Sequence, residues 1–142
     1  MTLSEKGKQP FSTRLRAATL DRLREHADEL GVAQAALVER YIEEGVRMDA
    51  HPLIGFRDGA AGRRPALIGT RLDVWQVVET IRQNGNSVER AADYLRLPVS
   101  QVEACAAYYA DYQAEIDAWN ARATKAAERA ERTWRRRHAL FA

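Results

Sequence analysis

The spacing of hydrophobic residues changes from a period of two to a helical period within the first fifty positions. Residues 11–15 alternate apolar with polar side chains, which predicts a short strand with one buried face. Apolar residues then recur at steps of three and four over residues 18–30, and a glycine follows, so we expect a helix with a glycine stop. The same spacing over residues 33–46 predicts a second helix.

A unit of one strand and two helices needs a partner, because a lone strand leaves its backbone groups unpaired and two short helices cannot enclose a core. Homodimerisation solves both problems if two strands pair antiparallel across a two-fold axis. One face of the resulting ribbon packs on the helices, while Ser12 and Arg14 point outward. A two-stranded ribbon fits the DNA major groove, where arginine and serine read base edges. The predicted dimer core is Phe11, Thr13, Leu15, Leu37 and Tyr41.

This order of elements resembles the ribbon-helix-helix family of DNA-binding domains over roughly residues 8–48. The resemblance implies base reading by the outward strand residues and a phosphate contact at the start of the second helix. This sequence differs at Pro10, which has no amide donor, and lacks a serine or threonine cap before Gln34. A helical hairpin whose strand merely completes a dimer stays an alternative. The predicted DNA-binding residues are Lys8, Gln9, Ser12, Arg14, Arg16, Ala33 and Gln34.

The middle of the chain predicts a linker and then a three-helix domain. Residues 51–65 are rich in glycine and proline and are interpreted as the linker. Two short extended pieces are expected in residues 66–72, around a turn at Gly69-Thr70. Three helices should follow, because capping residues precede each apolar pattern and turn residues separate them. The expected caps are Asp73, Ser87, and Ser100 with Glu103. This spacing is typical of a helix-turn-helix, so we assign residues 66–112 to a helix-turn-helix-like domain with a short β-hairpin.

Several short motifs in this segment resemble the bacterial family known as domain of unknown function 433, over roughly residues 52–112. They are Gly62-Arg-Arg-Pro65, Ile68-Gly-Thr-Arg71, Val74-Trp75, Gly85, Asp93-Tyr94, Leu97 and Tyr108-Tyr-Ala110. Members are helix-turn-helix-like and are commonly encoded beside a nuclease-like toxin with a PIN-related fold, which implies an antitoxin role. Arg71 suits a phosphate or a partner carboxylate, but we favour an internal pair with Asp73 or Asp93.

The C-terminal segment predicts one long helix from Ser100 to about His138, since no proline or glycine interrupts it. Residues 113–142 form its basic amphipathic part, and its tryptophans suit a partner's groove. Three consecutive arginines would neutralise the carboxylates of an acidic metal-binding cleft. The predicted toxin-binding residues are Trp119, Trp134, Arg135, Arg136, Arg137 and Phe141. Two alternatives remain for this helix. It packs on the second copy of a dimer, or it binds nucleic acid or a membrane surface nonspecifically.

Charge is concentrated at the two ends although the formal net charge is only +2. Residues 1–16 carry four bases against one acid, and residues 120–142 carry seven bases against two acids, so the residues between are net acidic.

Cys105 is the only cysteine, so an internal disulfide is excluded, and we expect its side chain to be buried. The three histidines are scattered and no catalytic motif is present, so we expect no enzyme, no metal and no cofactor. No secretory signal or membrane-length apolar run is found, so we expect a cytoplasmic protein that does not bind membranes.

The sequence therefore predicts a mainly α protein. Residues 1–50 form a dimeric ribbon-helix-helix domain, residues 51–65 a linker, residues 66–112 a helix-turn-helix-like domain and residues 113–142 a C-terminal helix. The main hypothesis is a homodimeric or higher-order type II antitoxin that binds operator DNA, represses its own operon and neutralises a PIN-like nuclease toxin. The alternatives are a stand-alone transcriptional regulator with a protein-interaction domain, and a purely structural oligomer.

Overall fold

The computed structural model describes residues 7–142, which divide into two compact units. The first unit ends at Glu43, and the second comprises Glu44–Ala142. The boundary differs from the expected one after residue 50, because the last two turns of a helix hold side chains that pair with the second unit. The first residues of the predicted domain 1–50, including the charges of Glu5 and Lys6, lie outside the described residues.

The first unit contains the two expected helices, α1 (Ala17–Leu30) and the beginning of α2 (Gln34–Ala50). Gly31 ends α1 in the left-handed region at φ 65°, where its amide donates to the Asp28 carbonyl and the Val32 amide to that of Ala27. The small core of the unit consists of Leu23, Ala27 and Leu37, with Leu20 and Val38 packed against it. Residues 7–16 have no regular secondary structure. The predicted strand needs a pairing partner, so it stays a prediction.

In the second unit, the last turns of α2 are followed by a two-stranded antiparallel hairpin, β1 (Ile54–Arg57) and β2 (Arg64–Leu67). Its register pairs Ile54 with Leu67 and Arg57 with Arg64. The linker interpretation of residues 51–65 is therefore corrected, since β1 buries Ile54 and only the loop between the strands is rich in glycine. Of the two extended pieces expected around Gly69-Thr70, the first overlaps the end of β2 at Ala66 and Leu67. The second is not a strand, and one isolated bridge joins Ala66 to Asp73 after it.

Three helices follow the hairpin: α3 (Val74–Gln83), α4 (Val88–Leu95) and α5 (Val99–Asp111). Ser87 caps α4 as expected, because its Oγ accepts a hydrogen bond of 3.1 Å from the Arg90 amide. The capping box expected at Ser100 is wrong. Helix α5 begins at Val99 after Pro98, whose ring holds φ at −55°, so Ser100 lies inside the first turn.

The chain breaks its helix at Tyr112 and continues as α6 (Gln113–Leu140), so the single long helix from residue 100 to 138 is a second error. Tyr112 has φ −132° and ψ 46°, although no proline or glycine marks the position. The break allows α6 to fold back onto α3, which buries Ile116 in the main core. Packing energy therefore outweighs helix continuity here.

The core of the second unit is continuous from the hairpin to the first turns of α6. Its largest fully buried side chains are Ile54, Leu67, Val74, Val77, Val102, Cys105, Tyr108 and Ile116. Cys105 is buried as expected, and burial raises the pKa of its thiol to about 12. The described chain is thus mainly helical, with one hairpin and a long C-terminal helix.

Candidate DNA-binding and partner-binding surfaces

The segment before α1 exposes both its polar and its apolar side chains. Phe11 keeps 79% of its surface exposed and Leu15 keeps 47%, and both line open apolar grooves against α1 or α2. Among the described residues, no backbone hydrogen bond joins residues 8–15 to another part of the chain. Exposed apolar residues and unpaired backbone groups therefore occur together in this segment.

The predicted DNA-binding residues are exposed, but they differ in their contacts. Ser12 and Arg14 are both exposed, and Arg14 forms no ion pair with any described residue. Lys8 instead forms an exposed ion pair of 3.0 Å with Glu39 of α2. Gln9, Arg16, Ala33 and Gln34 are exposed. Ala33 accepts the first helical hydrogen bond of α2, from the Leu37 amide, so amides at this helix end face solvent.

Four of the five residues predicted to form the dimer core are exposed, and the fifth is buried within its own chain. Thr13 and Tyr41 are exposed together with Phe11 and Leu15, whereas Leu37 is 1% exposed within a single chain. Leu37 therefore belongs to the core of its own chain, where it contacts the buried side of α1. Tyr41 stacks near His26, with ring centroids 6.4 Å apart.

An ionic and aromatic cluster joins the last turn of α2 to the corner between α5 and α6. Arg47 Nη1 donates to Glu115 Oε2 at 2.5 Å and to the Tyr108 hydroxyl at 2.7 Å, and its guanidinium lies 4.0 Å from the Tyr112 ring centroid. His51 Nε2 lies 2.8 Å from Asp111 Oδ2. Burial opposes the charge of Arg47, but the hydrogen bonds to Glu115 and Tyr108 outweigh it and raise its pKa. The cluster fixes the direction in which α6 leaves the core.

A second network surrounds the buried carboxylate of Asp73, the residue before α3. Arg57 donates to Asp73 Oδ1 at 3.0 Å through Nη2, and Arg64 Nε donates to Oδ2 at 2.6 Å. Trp75 Nε1 also donates to Oδ2, at 3.3 Å. The expected pair between Arg71 and Asp73 or Asp93 is not formed, because the hairpin arginines already fill the Asp73 oxygens and Arg71 is exposed. The sequence pattern does not indicate these pairs, since the hairpin itself is misassigned.

The six predicted toxin-binding residues do not form one surface, because α6 is divided along its length. Trp119 is 9% exposed, its ring lies near Gly62 of the hairpin loop, and the Arg122 guanidinium covers it at 4.7 Å. It is therefore part of the intramolecular packing, which corrects its assignment to a partner. The other five are exposed, and they lie on the last two turns of α6 or, for Phe141, just after its end: Trp134, Arg135, Arg136, Arg137 and Phe141.

Trp134 remains on the same helical side as the buried Ile116 and Trp119, and Phe141 follows directly after the end of α6 at Leu140. Trp134 is 51% exposed and stacks on His138 with ring centroids 3.8 Å apart, and Phe141 is 85% exposed. Between Trp119 and Trp134, the side is continued by alanines at positions 123, 127 and 130. The apolar side that begins in the core thus runs on without a partner.

The described part of the chain contains no group of three or more His, Cys, Asp or Glu side chains arranged to hold a metal ion. Within the same residues, none of the helices has the length and apolar character needed to cross a membrane.

Comparison with known proteins gives a match for one part of the chain. No curated protein and no solved structure matches the chain. The matching family model covers the hairpin, α3, α4 and most of α5, and leaves out the first unit and α6. Residues 54–109 thus match the family described as protein of unknown function (DUF433).

Proposed function

We propose that the chain is the antitoxin of a toxin–antitoxin pair, which dimerises through its first unit, binds operator DNA there, and neutralises a PIN-like nuclease toxin through the end of α6. The observation that carries the DNA-binding part is the exposed segment 8–15. Its apolar side chains Phe11 and Leu15 are largely uncovered, and its backbone forms no hydrogen bond to another part of the described chain. A second copy of the segment would cover the apolar side chains and supply hydrogen-bond partners for the backbone groups.

Strand pairing in this dimer separates the side chains of the segment by face. Phe11 and Leu15 would pack inward over the helices, and Ser12 and Arg14 would lie on the opposite, outward face. Each dimer would then present two arginines and two serines to the major groove, where a guanidinium donates to guanine O6 and N7. The exposed amides at the start of α2 suit a phosphate oxygen.

The toxin-binding part rests on the exposed end of α6. Trp134 and Phe141 offer two aromatic anchors on one side of a helix, a pattern typical of a helix that binds in an apolar groove. Arg135, Arg136 and Arg137 follow Trp134 directly, and none of the three is buried. Placed in a nuclease cleft, they would pair with the carboxylates that hold its metal ions and thereby block catalysis. The partner class comes from the family resemblance, and the anchors come from the structure.

The DNA-binding part is tested with Arg14→Ala and fluorescently labelled DNA from the chain's own promoter. We expect the affinity for that DNA to fall by about 1–3 kcal/mol, with relaxed base preference and an intact dimer. An equal loss on a scrambled duplex would show that Arg14 does not read bases.

The toxin-binding part is tested by purifying the nuclease-like protein encoded beside this chain and measuring its RNA cleavage. The unaltered chain should inhibit cleavage, and the double variant W134A/F141A should inhibit at least tenfold less. Tyr94→Ala, which removes another exposed aromatic side chain, serves as the matched control. Inhibition that survives W134A/F141A would place the toxin contact elsewhere. DNA binding without any protein partner would leave a transcriptional regulator.

A further inference from the structure

The outer part of α6 carries four cations on one side of the helix. We define the distal arm as residues 124–142, every one of which is exposed. Lys125, Arg129, Arg132 and Arg136 follow each other at steps of four, three and four, so their side chains lie on the same side. At a rise of 1.5 Å per residue, this cationic row is about 16 Å long.

The cationic row faces away from the apolar side of the arm. Trp134 stands two positions from both Arg132 and Arg136, and residues two apart point in nearly opposite directions on an α-helix. A partner bound to Trp134 and Phe141 would therefore leave Lys125, Arg129 and Arg132 open to solvent, whereas Arg136 is shared with the proposed toxin contact. The arm has two faces of different chemistry.

The arm contains two acidic side chains, Glu128 and Glu131, against the four cations of the row. Glu128 lies three positions from Lys125 and four from Arg132, so it offsets the row only in part. Glu131 pairs with Arg135 at 2.6 Å, on the flank of the helix. Among the described residues, the four cations of the row form no ion pair or hydrogen bond. Like charges four positions apart repel each other and destabilise an exposed helix. A regular row with this cost indicates a binding surface for a polyanion.

We infer that the cationic row binds the phosphate backbone of duplex DNA. A straight line of positive charges on a rigid helix matches a continuous line of phosphates, since B-DNA carries about one negative charge per 1.7 Å of its axis. The row contains no apolar side chain that would need burial, in contrast to the side that carries Trp134. The choice of DNA over RNA rests on the function proposed for the first unit. The row adds affinity without base preference, because phosphates carry no sequence information.

The test compares two triple variants that remove the same charge. K125Q/R129Q/R132Q neutralises three cations of the row and leaves Arg136, which belongs to the proposed toxin contact. R71Q/R90Q/R96Q removes three exposed arginines elsewhere in the second unit. Glutamine is about as good a helix former as lysine and arginine, so the arm should keep its helix, which circular dichroism checks.

The probe is a labelled 20-base-pair DNA duplex of random sequence, titrated with the full chain at several salt concentrations. Each lost phosphate contact lowers the slope of log affinity against log salt by about 0.9, so the row variant should lose about 2 to 3 in slope. Its affinity at 0.1 M salt should fall at least tenfold, and the control should change less than twofold. The charge-preserving variant R129K/R132K should keep the original slope.

Two results would overturn the inference. Equal losses in the two triple variants would show an effect of total charge only, and a larger loss on an RNA duplex of the same sequence would assign the row to RNA. Arg14→Ala in the same titration separates this inference from the proposed function. If the first unit does not bind DNA, that variant changes nothing while the row variant still loses slope.

Discussion

Replacing Ile116 by alanine tests whether the first turns of α6 belong to the core. Ile116 is 1% exposed and packs in the main hydrophobic cluster, immediately after the break at Tyr112. The substitution removes three carbon groups, whose lost burial costs about 2.4 kcal/mol at roughly 0.8 kcal/mol each. The cavity left behind brings the total to about 3 kcal/mol, within the range for buried isoleucine.

The loss is measured by thermal unfolding followed at 222 nm. For a domain of this size, about 1 kcal/mol corresponds to 4–8 °C, so the Tm of the second unit should fall by roughly 12–24 °C. The matched control is Leu140→Ala on the same helix, because Leu140 is 78% exposed and its loss should cost less than about 0.5 kcal/mol. Similar Tm values for the two variants would refute the packing of α6 on the core.

Two further predictions concern the first unit and the buried thiol. Phe11→Asp should convert the proposed dimer to a monomer, because it places a charge in the proposed interface. A variant that stays dimeric by light scattering would refute the inward assignment of Phe11. Burial raises the pKa of Cys105 to about 12, so the folded state keeps its proton while the unfolded state loses it above about pH 9. The free energy of unfolding should therefore fall with rising pH from about 9, more steeply in the unaltered chain than in Cys105→Ala, by up to about 1.4 kcal/mol per pH unit. Parallel curves in urea denaturation at pH 8 and 10 would contradict this.

The sequence predicts the helices whose ends carry local markers. Gly31 ends α1 and Ser87 caps α4, because a left-handed glycine and a capping hydroxyl act within a few residues. The break at Tyr112 has no such marker, since it is caused by packing of Ile116 onto α3. Contacts between segments that are distant in the sequence determine where this helix ends, and hydrophobic periodicity does not predict such contacts.

The candidate surfaces follow the same distinction. Ser12 and Arg14 are exposed, but so are Phe11 and Leu15, so the outward and inward positions expected from alternation stay a prediction. Trp119 and Trp134 have equivalent places in the helical pattern, yet one is buried beside the hairpin loop and the other is half exposed. The sequence does not predict the pairing of Asp73 with Arg57 and Arg64. These arginines lie in two short strands, and the glycine-rich loop between the strands leads to the interpretation of the whole segment as a linker.

The proposed antitoxin function is tested most directly by recovering the tagged chain from its own host. Mass spectrometry would identify the bound proteins and sequencing would identify the bound DNA. We predict one small nuclease-like protein together with one promoter, the chain's own, and loss of that protein alone with W134A/F141A. Recovery of neither a nuclease-like protein nor a specific DNA would contradict the proposal and leave a structural oligomer.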